Sequence, residues 1–403
     1  LEKHFDEKSG PLFKCDNIDR FCDTLNAPSA SPPSLIYLGE DTSLYYNSYD
    51  MKSDYGWEEL VNLITTLNYN FIQIDSVLNV DRTLWAFAVN QVLANLDCYN
   101  TYYIHNYYLY QTKDGLFQMI PWDLDNSFIG AIMGWDYWNP SNVYEFDPYF
   151  HGPAGERPLA YNLLNNPSYR KQYSAHLRTV INEALDTSFI RAQINHMQSL
   201  AYTAADSDQW KVFSMNDYLN NVESAIWTGW GFAGIMSTID ARKQYLLSHP
   251  EISLVPPLIS NVSINNNLIE ATVFNCSSVK FMATTNQYNS KFQSFLMNDD
   301  GLNGDSIAND GVYSIYSPFQ GTNDVKFYIR AENNDAMMMS PERAEYEFYE
   351  YSTISGIIDS ERIDQKILLR ICDALGRTVK LNYNTPLFFI YSDGTIEKKI
   401  IVQ

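Results

Sequence analysis

Cysteine is scarce and poorly spaced for metal binding. The five residues Cys15, Cys22, Cys98, Cys276 and Cys372 include no CxxC pair, which argues against a structural zinc site. Cys15 and Cys22 are near enough in sequence to bridge; buried free thiols are the other reading. Positive charge is short as well. Lys and Arg number 27 against 48 Asp and Glu, a formal net charge of −21, so nucleic acid and anionic membrane surfaces are repelled at long range. No run approaches the roughly 18–20 apolar residues of a membrane-spanning helix. There is also no repeat of fixed period, and the chain opens on Leu1 without a signal peptide, as expected of a processed product.

What is present supports a folded, multi-part chain. Hydrophobic residues make up 45% of the 403, enough for a sizeable core and too many for disorder. The length suggests two or three domains. Tyrosine leads the aromatics, with 30 residues, in keeping with extracellular β-structure.

Periodicity changes once along the sequence. Trp57, Leu60, Val61, Ile64 and Leu67 recur at helical spacing. A second helix is expected from Asp81, whose carboxylate can cap it, through Leu84, Ala88 and Val92 to Leu96. Further helices are expected over 159–165, 169–185, 190–204, 215–226 and 235–247, with 130–158, rich in Gly, Pro and Trp, as a long surface loop. Pro250, Pro256 and Pro257 mark a linker. Beyond them, short alternating runs at 259–264, 269–274, 279–284, 312–316 and 325–331 predict a β-sandwich closed by 345–350. Residues 357–403 predict a smaller β-unit with strands over 366–372, 388–391 and 398–402. The fold class expected is α+β, divided as 1–250, 257–350 and 357–403.

The stretch from Asn95 to Gly130 carries the chemistry. Apolar runs at 107–111 and 116–120 flank Thr112-Lys113-Asp114-Gly115, a strong hairpin signal. Antiparallel pairing would place Asn106, at the start of one strand, beside Asp123 in Pro121-Trp122-Asp123-Leu124-Asp125. Asp97 lies in the loop feeding that hairpin. Phosphoryl transfer uses such a set: a carboxylate for the acceptor hydroxyl, with a carboxamide and further carboxylates holding Mg²⁺ or Mn²⁺. The competing reading has Asp97 and Asp125 capping turns and Asp123 paired with an arginine. His105 stands either as a general base or as a residue that orients its loop.

At these residues the sequence resembles the CotH-type spore-coat protein kinases. The resemblance rests on Asn95-Leu96-Asp97-Cys98-Tyr99, His105-Asn106-Tyr107-Tyr108-Leu109-Tyr110 and above all Pro121-Trp122-Asp123-Leu124-Asp125. It extends to Phe13-Lys14, 49–52 and Arg157-Pro158-Leu159, over roughly residues 1–250. It implies an atypical, kinase-like domain that uses ATP and a divalent metal to phosphorylate serine in secreted proteins. By position Asp97 matches the catalytic aspartate and Asp123 the metal-binding one; Asn106 and Asp125 are added from the hairpin argument. The glycine-containing strands expected to form a nucleotide lid have no match, which leaves Lys14 and Lys52 as candidate phosphate partners. It also leaves open an inactive kinase-like scaffold or adhesin. A carboxylate-pair glycoside hydrolase is the weaker alternative, because no sugar groove is recognisable.

Two further features lie downstream. Asp299, Asp300, Asp305 and Asp310, set among Gly and Asn, can either hold Ca²⁺ or form ion-free tight turns. The segment resembles Ig-like modules that follow CotH-type domains. Residues 357–403, with Leu375-Gly376-Arg377 and Asp393-Gly394-Thr395, resemble a type IX secretion sorting domain. That resemblance implies contact with an export machinery and a location on, or secretion from, a Gram-negative outer surface.

Overall fold

The computed structural model describes residues 1–16, 32–128, 140–227, 231–319, 321, 324–352, 368–372, 379, 386–391 and 396–400. The fold is a mixture of helix and sheet of α+β type. A short helix α1 (Glu2–Phe5) is followed by strands β1 (Leu12–Cys15) and β2 (Asp50–Met51), then helices α2 (Trp57–Tyr69) and α3 (Val80–Val92). Strands β3 (Tyr107–Gln111) and β4 (Phe117–Pro121) form the expected hairpin, paired Tyr107 to Pro121 and Gln111 to Phe117. All four strands join one antiparallel sheet in the order β2-β1-β3-β4. Neither β1 nor β2 is foreseen in the sequence, since runs of four and two residues are too short for alternation to register.

Helix α2 buries Leu60, Val61, Leu63, Ile64 and Leu67 against the core, the stripe that its spacing predicts. Helix α3 departs from expectation at both ends. Its cap is Asn79, whose side chain accepts from the Arg82 amide at 2.9 Å, and not Asp81. Asp81 lies within the first turn and faces the later helix Pro167–Ala184. The far end stops at Val92 because Ala94 takes φ 47°, a left-handed conformation that an α-helix cannot contain.

Helices α4 (Pro140–Tyr144), α5 (Pro158–Asn165), α6 (Pro167–Ala184), α7 (Thr187–Ser207) and α8 (Met215–Asn220) follow. A two-stranded ribbon, β5 (Ile226–Trp227) and β6 (Gly231–Phe232), then leads to α9 (Ile235–Ser248). The expected loop 130–158 therefore contains a helix, and the helix expected over 215–226 ends six residues early. Residues 130–139 of that loop lie outside the described residues. The α3–α6 contact is polar: the Asp81 carboxylate accepts from Gln172 Nε2 at 2.7 Å and sits 2.8 Å from Nε2 of the fully buried His176.

Strands resume as β7 (Leu258–Asn265), β8 (Leu268–Phe274), β9 (Ser278–Thr284), β10 (Gln293–Leu296), β11 (Val312–Tyr316), β12 (Val325–Glu332), β13 (Met337–Ser340) and β14 (Tyr349–Tyr351). They form a sheet β11-β8-β7 and a sheet β10-β9-β12-β13, with β14 on β12. The inward residues of both sheets meet in one core that includes Ile269, Val273, Phe281 and Ile329, the two-layer packing of a sandwich. Closure differs from expectation: β14 alone is strand within 345–351. Strands β15 (Leu368–Cys372), β16 (Pro386–Tyr391) and β17 (Ile396–Ile400) form an antiparallel sheet; the rest of 357–403 lies almost wholly outside the described residues.

Candidate active site

The hairpin places its chemistry at the open end. Tyr107 pairs with Pro121, and the Trp122 amide donates to the Asn106 carbonyl at 3.1 Å, so Asn106 and Asp123 leave the sheet together. Both take left-handed backbone, φ 57° and 53°, which Asn and Asp tolerate better than most residues. The segment after Asp123 is tethered by the Phe128 amide, which donates to the Leu93 carbonyl at 3.0 Å. The loop 97–105 is held from behind by Arg157, whose Nη2 donates to the Tyr102 carbonyl at 2.9 Å, and by Tyr99, whose hydroxyl donates to the Ser34 carbonyl at 2.9 Å.

Asp97 is the hub of this end. Asn106 Nδ2 donates to the Asp97 carbonyl at 3.0 Å and to Oδ2 at 3.2 Å, and Asn126 Nδ2 reaches the same Oδ2 at 3.2 Å. His105 Nε2 bonds Asp97 Oδ1, while its Nδ1 lies 3.1 Å from Asp16 Oδ1. Lys14 Nζ closes the row on Asp16 Oδ2 at 2.7 Å. Charge therefore alternates along Lys14, Asp16, His105 and Asp97. Burial works against a charged imidazole, but the hydrogen bonds that it donates to Asp16 and Asp97 win and hold the His105 pKa up to about 9. The His105 hydrogen bond pulls the Asp16 carboxyl well below the usual carboxylate range, with Lys14 adding to it. His105 is thus an imidazolium clamp at neutral pH and has no lone pair for a base.

Asp123 and Asp125 behave differently. Both are exposed, and among the described residues no lysine, arginine or histidine pairs with either. Partial burial, then the charge of Asp125 and a hydrogen bond with it, push the Asp123 carboxyl up; Asp97 and Asp16 add to the same repulsion. An arginine partner for Asp123, one of the two sequence readings, is not found among the described residues. Clustered carboxylates with no counter-charge, beside a carboxamide, form an all-oxygen donor set that suits Mg²⁺ or Mn²⁺. The donor chemistry suits such an ion, while among the described residues three carboxylates converge within 4.8 Å at Asp299, Asp305 and Asp310 and not at this edge.

Of the expected site residues, Asp97, Asn106, Asp123, Asp125 and Lys14 gather here. Lys52 does not join them. It follows β2, where its amine pairs with Asp50 and its amide donates to the Leu12 carbonyl at 2.7 Å. Asp16 and Asn126 were not foreseen. Asn126 directly follows the Asp-Leu-Asp segment and could have been found there; Asp16 is 89 residues from the histidine that it binds and gave no signal. Cys15 is a buried free thiol, and Cys22 lies outside the described residues.

In the sandwich, ligand atoms of Asp299, Asp305 and Asp310 lie within 4.8 Å of one another. Asp300 instead accepts from the Leu302 amide at 3.0 Å. Backbone amides of Gly301, Ile307, Asp310, Gly311 and Val312 donate to the three clustered carboxylates, so the turn is satisfied by its own backbone.

No helix among the described residues is long and apolar enough to cross a membrane. No curated protein matches the chain. The family model described as CotH kinase protein matches residues 1–229, the segment that contains α1 to β5 and the whole Asp97–Asp123 edge, and the chain belongs to that family.

Proposed function

We propose that this kinase-like protein transfers the terminal phosphate of ATP to serine hydroxyls of exported proteins, with Mg²⁺ or Mn²⁺ bound at the hairpin edge. The observation that supports it is the gathering of Asp97, Asn106 and Asp123 at one end of β3–β4, with Asp123 and Asp125 lacking any cationic partner among the described residues. Asp123, Asp125 and the Asn106 carboxamide would hold the ion, which when bound supplies charge neutralisation to the phosphate oxygens. Asp97 accepts a hydrogen bond from the incoming serine hydroxyl and takes its proton. His105, Asn106 and Asn126 keep the carboxylate in one orientation, so that it need not reorganise when the hydroxyl arrives. Lys14, tied to Asp16, is a cation at this edge that could turn toward phosphate.

The same reading takes the sandwich as an Ig-like module and 357–403 as a sorting unit for the export machinery of a Gram-negative bacterium. A net charge of −21 supports a protein partner over nucleic acid. A second reading, an inactive scaffold, draws on the internal pairing of Lys14 with Asp16 and of Asp97 with His105. Calorimetric titration with ATP and Mg²⁺ separates the two. Catalysis requires saturable binding that disappears without the metal and weakens at least tenfold in Asp123→Ala; no binding by the folded full chain would favour the scaffold.

A further inference from the structure

The β3–β4 hairpin has a second working end. Its tip carries Asp114, whose carboxylate accepts from Ser290 Oγ at 2.6 Å and Asn286 Nδ2 at 3.1 Å, while its carbonyl accepts from Lys291. These partners lie in the β9–β10 loop of the sandwich. A second seam joins Trp85 Nε1 to the Ala344 carbonyl at 3.0 Å and the Glu345 amide to Asp81 Oδ2 at 3.1 Å. Between the two seams the surfaces do not close. They leave a cavity of about 500 Å³ lined by α1, the first turns of α3, the hairpin tip and both sandwich loops. Its size and its place between two packed units are those of small-molecule sites.

The charges in its wall do not balance locally. Lys113 is paired with Glu7 at 3.2 Å, and Arg343 with Glu183 at 2.7 Å and Glu347 at 3.2 Å. The Asp81 carboxylate is occupied by Gln172, His176 and the Glu345 amide. Asp6 and His4 also line the wall but are exposed; the half-buried exception is Arg82. Its guanidinium lies over the Phe5 ring at 5.0 Å, and among the described residues it has no hydrogen-bond acceptor and no ion pair. Burial pushes it below the usual arginine range, only partly offset by Asp81. Glu345 does not pair with it: its carboxyl accepts from the Tyr328 hydroxyl at 3.0 Å, and burial and then the Asp81 charge push that carboxyl well above the usual range. A planar, half-buried guanidinium that no described protein group accepts from is suited to a carboxylate or phosphate, which it can grip through two parallel bonds. Beside it the wall is aromatic, formed by Phe5, Trp85, Tyr288 and Tyr346.

We infer that this cavity binds a small molecule carrying a carboxylate or phosphate on a flat ring, with the anionic oxygens on Arg82 and the ring against the aromatic wall. The site is separate from the Asp97–Asp123 edge, at the opposite end of a hairpin whose five-residue strands span roughly 15 Å at about 3.3 Å per residue. Calorimetry on the full chain with benzoate, phenyl phosphate and the neutral benzamide tests it. At least one anion should bind no less than tenfold more tightly than benzamide, and the tighter of the two identifies the group. Arg82→Gln should weaken that anion tenfold or more, and Gln287→Trp, which adds bulk at the sandwich side of the cavity, should do the same. The inference falls if neither anion exceeds benzamide, or if a folded variant of either kind binds the anion as wild type does. If Arg82→Gln does not fold, the wild-type comparison and Gln287→Trp decide.

Discussion

A histidine between two carboxylates makes a pH-dependent contribution whose sign follows from its geometry. His105 has a folded pKa near 9, above its ordinary 6.5. Its clamp on Asp16 and Asp97 is therefore fully present below pH 6.5 and is lost as pH rises through about 9. The melting temperature of the metal-free protein should exceed that of His105→Gln most at pH 6, with the gap closing by pH 10. A gap that does not change with pH would mean that the imidazole is neutral throughout and packs without charge. At this scale the sequence was half legible. Asp97 and Asp123 were marked by their place beside a hairpin, and Asn106 by strand register, all local consequences of Asp114-Gly115. Asp16 was not legible, because nothing local distinguishes a carboxylate that follows a four-residue strand from one in any loop.

Helix α3 shows how neighbouring residues of similar chemistry take different tasks. Asn79 and Asp81 are both good capping residues, and Asp81 also begins the apolar repeat that sequence reading follows. In the fold Asn79 caps, and Asp81 is drawn to the buried His176 and Gln172 of α6. Asn79→Ala should cost about 1 kcal/mol, the ordinary worth of a cap. Asp81→Ala should cost more, roughly 3 kcal/mol, because it strands a buried imidazole and a buried carboxamide. Denaturant unfolding of the two variants measures both, and the reverse order would restore Asp81 as the cap. Long periodic elements such as α2 were legible from side-chain spacing alone. The end of α3 was not, since the left-handed turn at Ala94 belongs to no residue type that announces it.

Across the whole molecule, the hairpin links chemistry at one end to the sandwich at the other. The break in periodicity near Pro256 told of two kinds of structure but not that Asp114 would bind the β9–β10 loop, a contact spanning more than 170 residues of sequence. Asp114→Ala should accelerate amide exchange across 286–291 while leaving β7 and β8 protected; unchanged exchange would mean that the loop is held by its own sandwich. The central claim concerns the other end, and one assay addresses it most directly: transfer of labelled γ-phosphate from ATP with Mg²⁺ to a serine-containing acceptor by the full chain. The wild-type protein should label serine, Asp97→Ala and Asp123→Ala should each lose at least a hundredfold in rate while remaining folded, and Lys52→Ala should retain activity. Equal labelling by wild type and Asp123→Ala, or none by a wild-type protein that binds ATP and Mg²⁺, would contradict it.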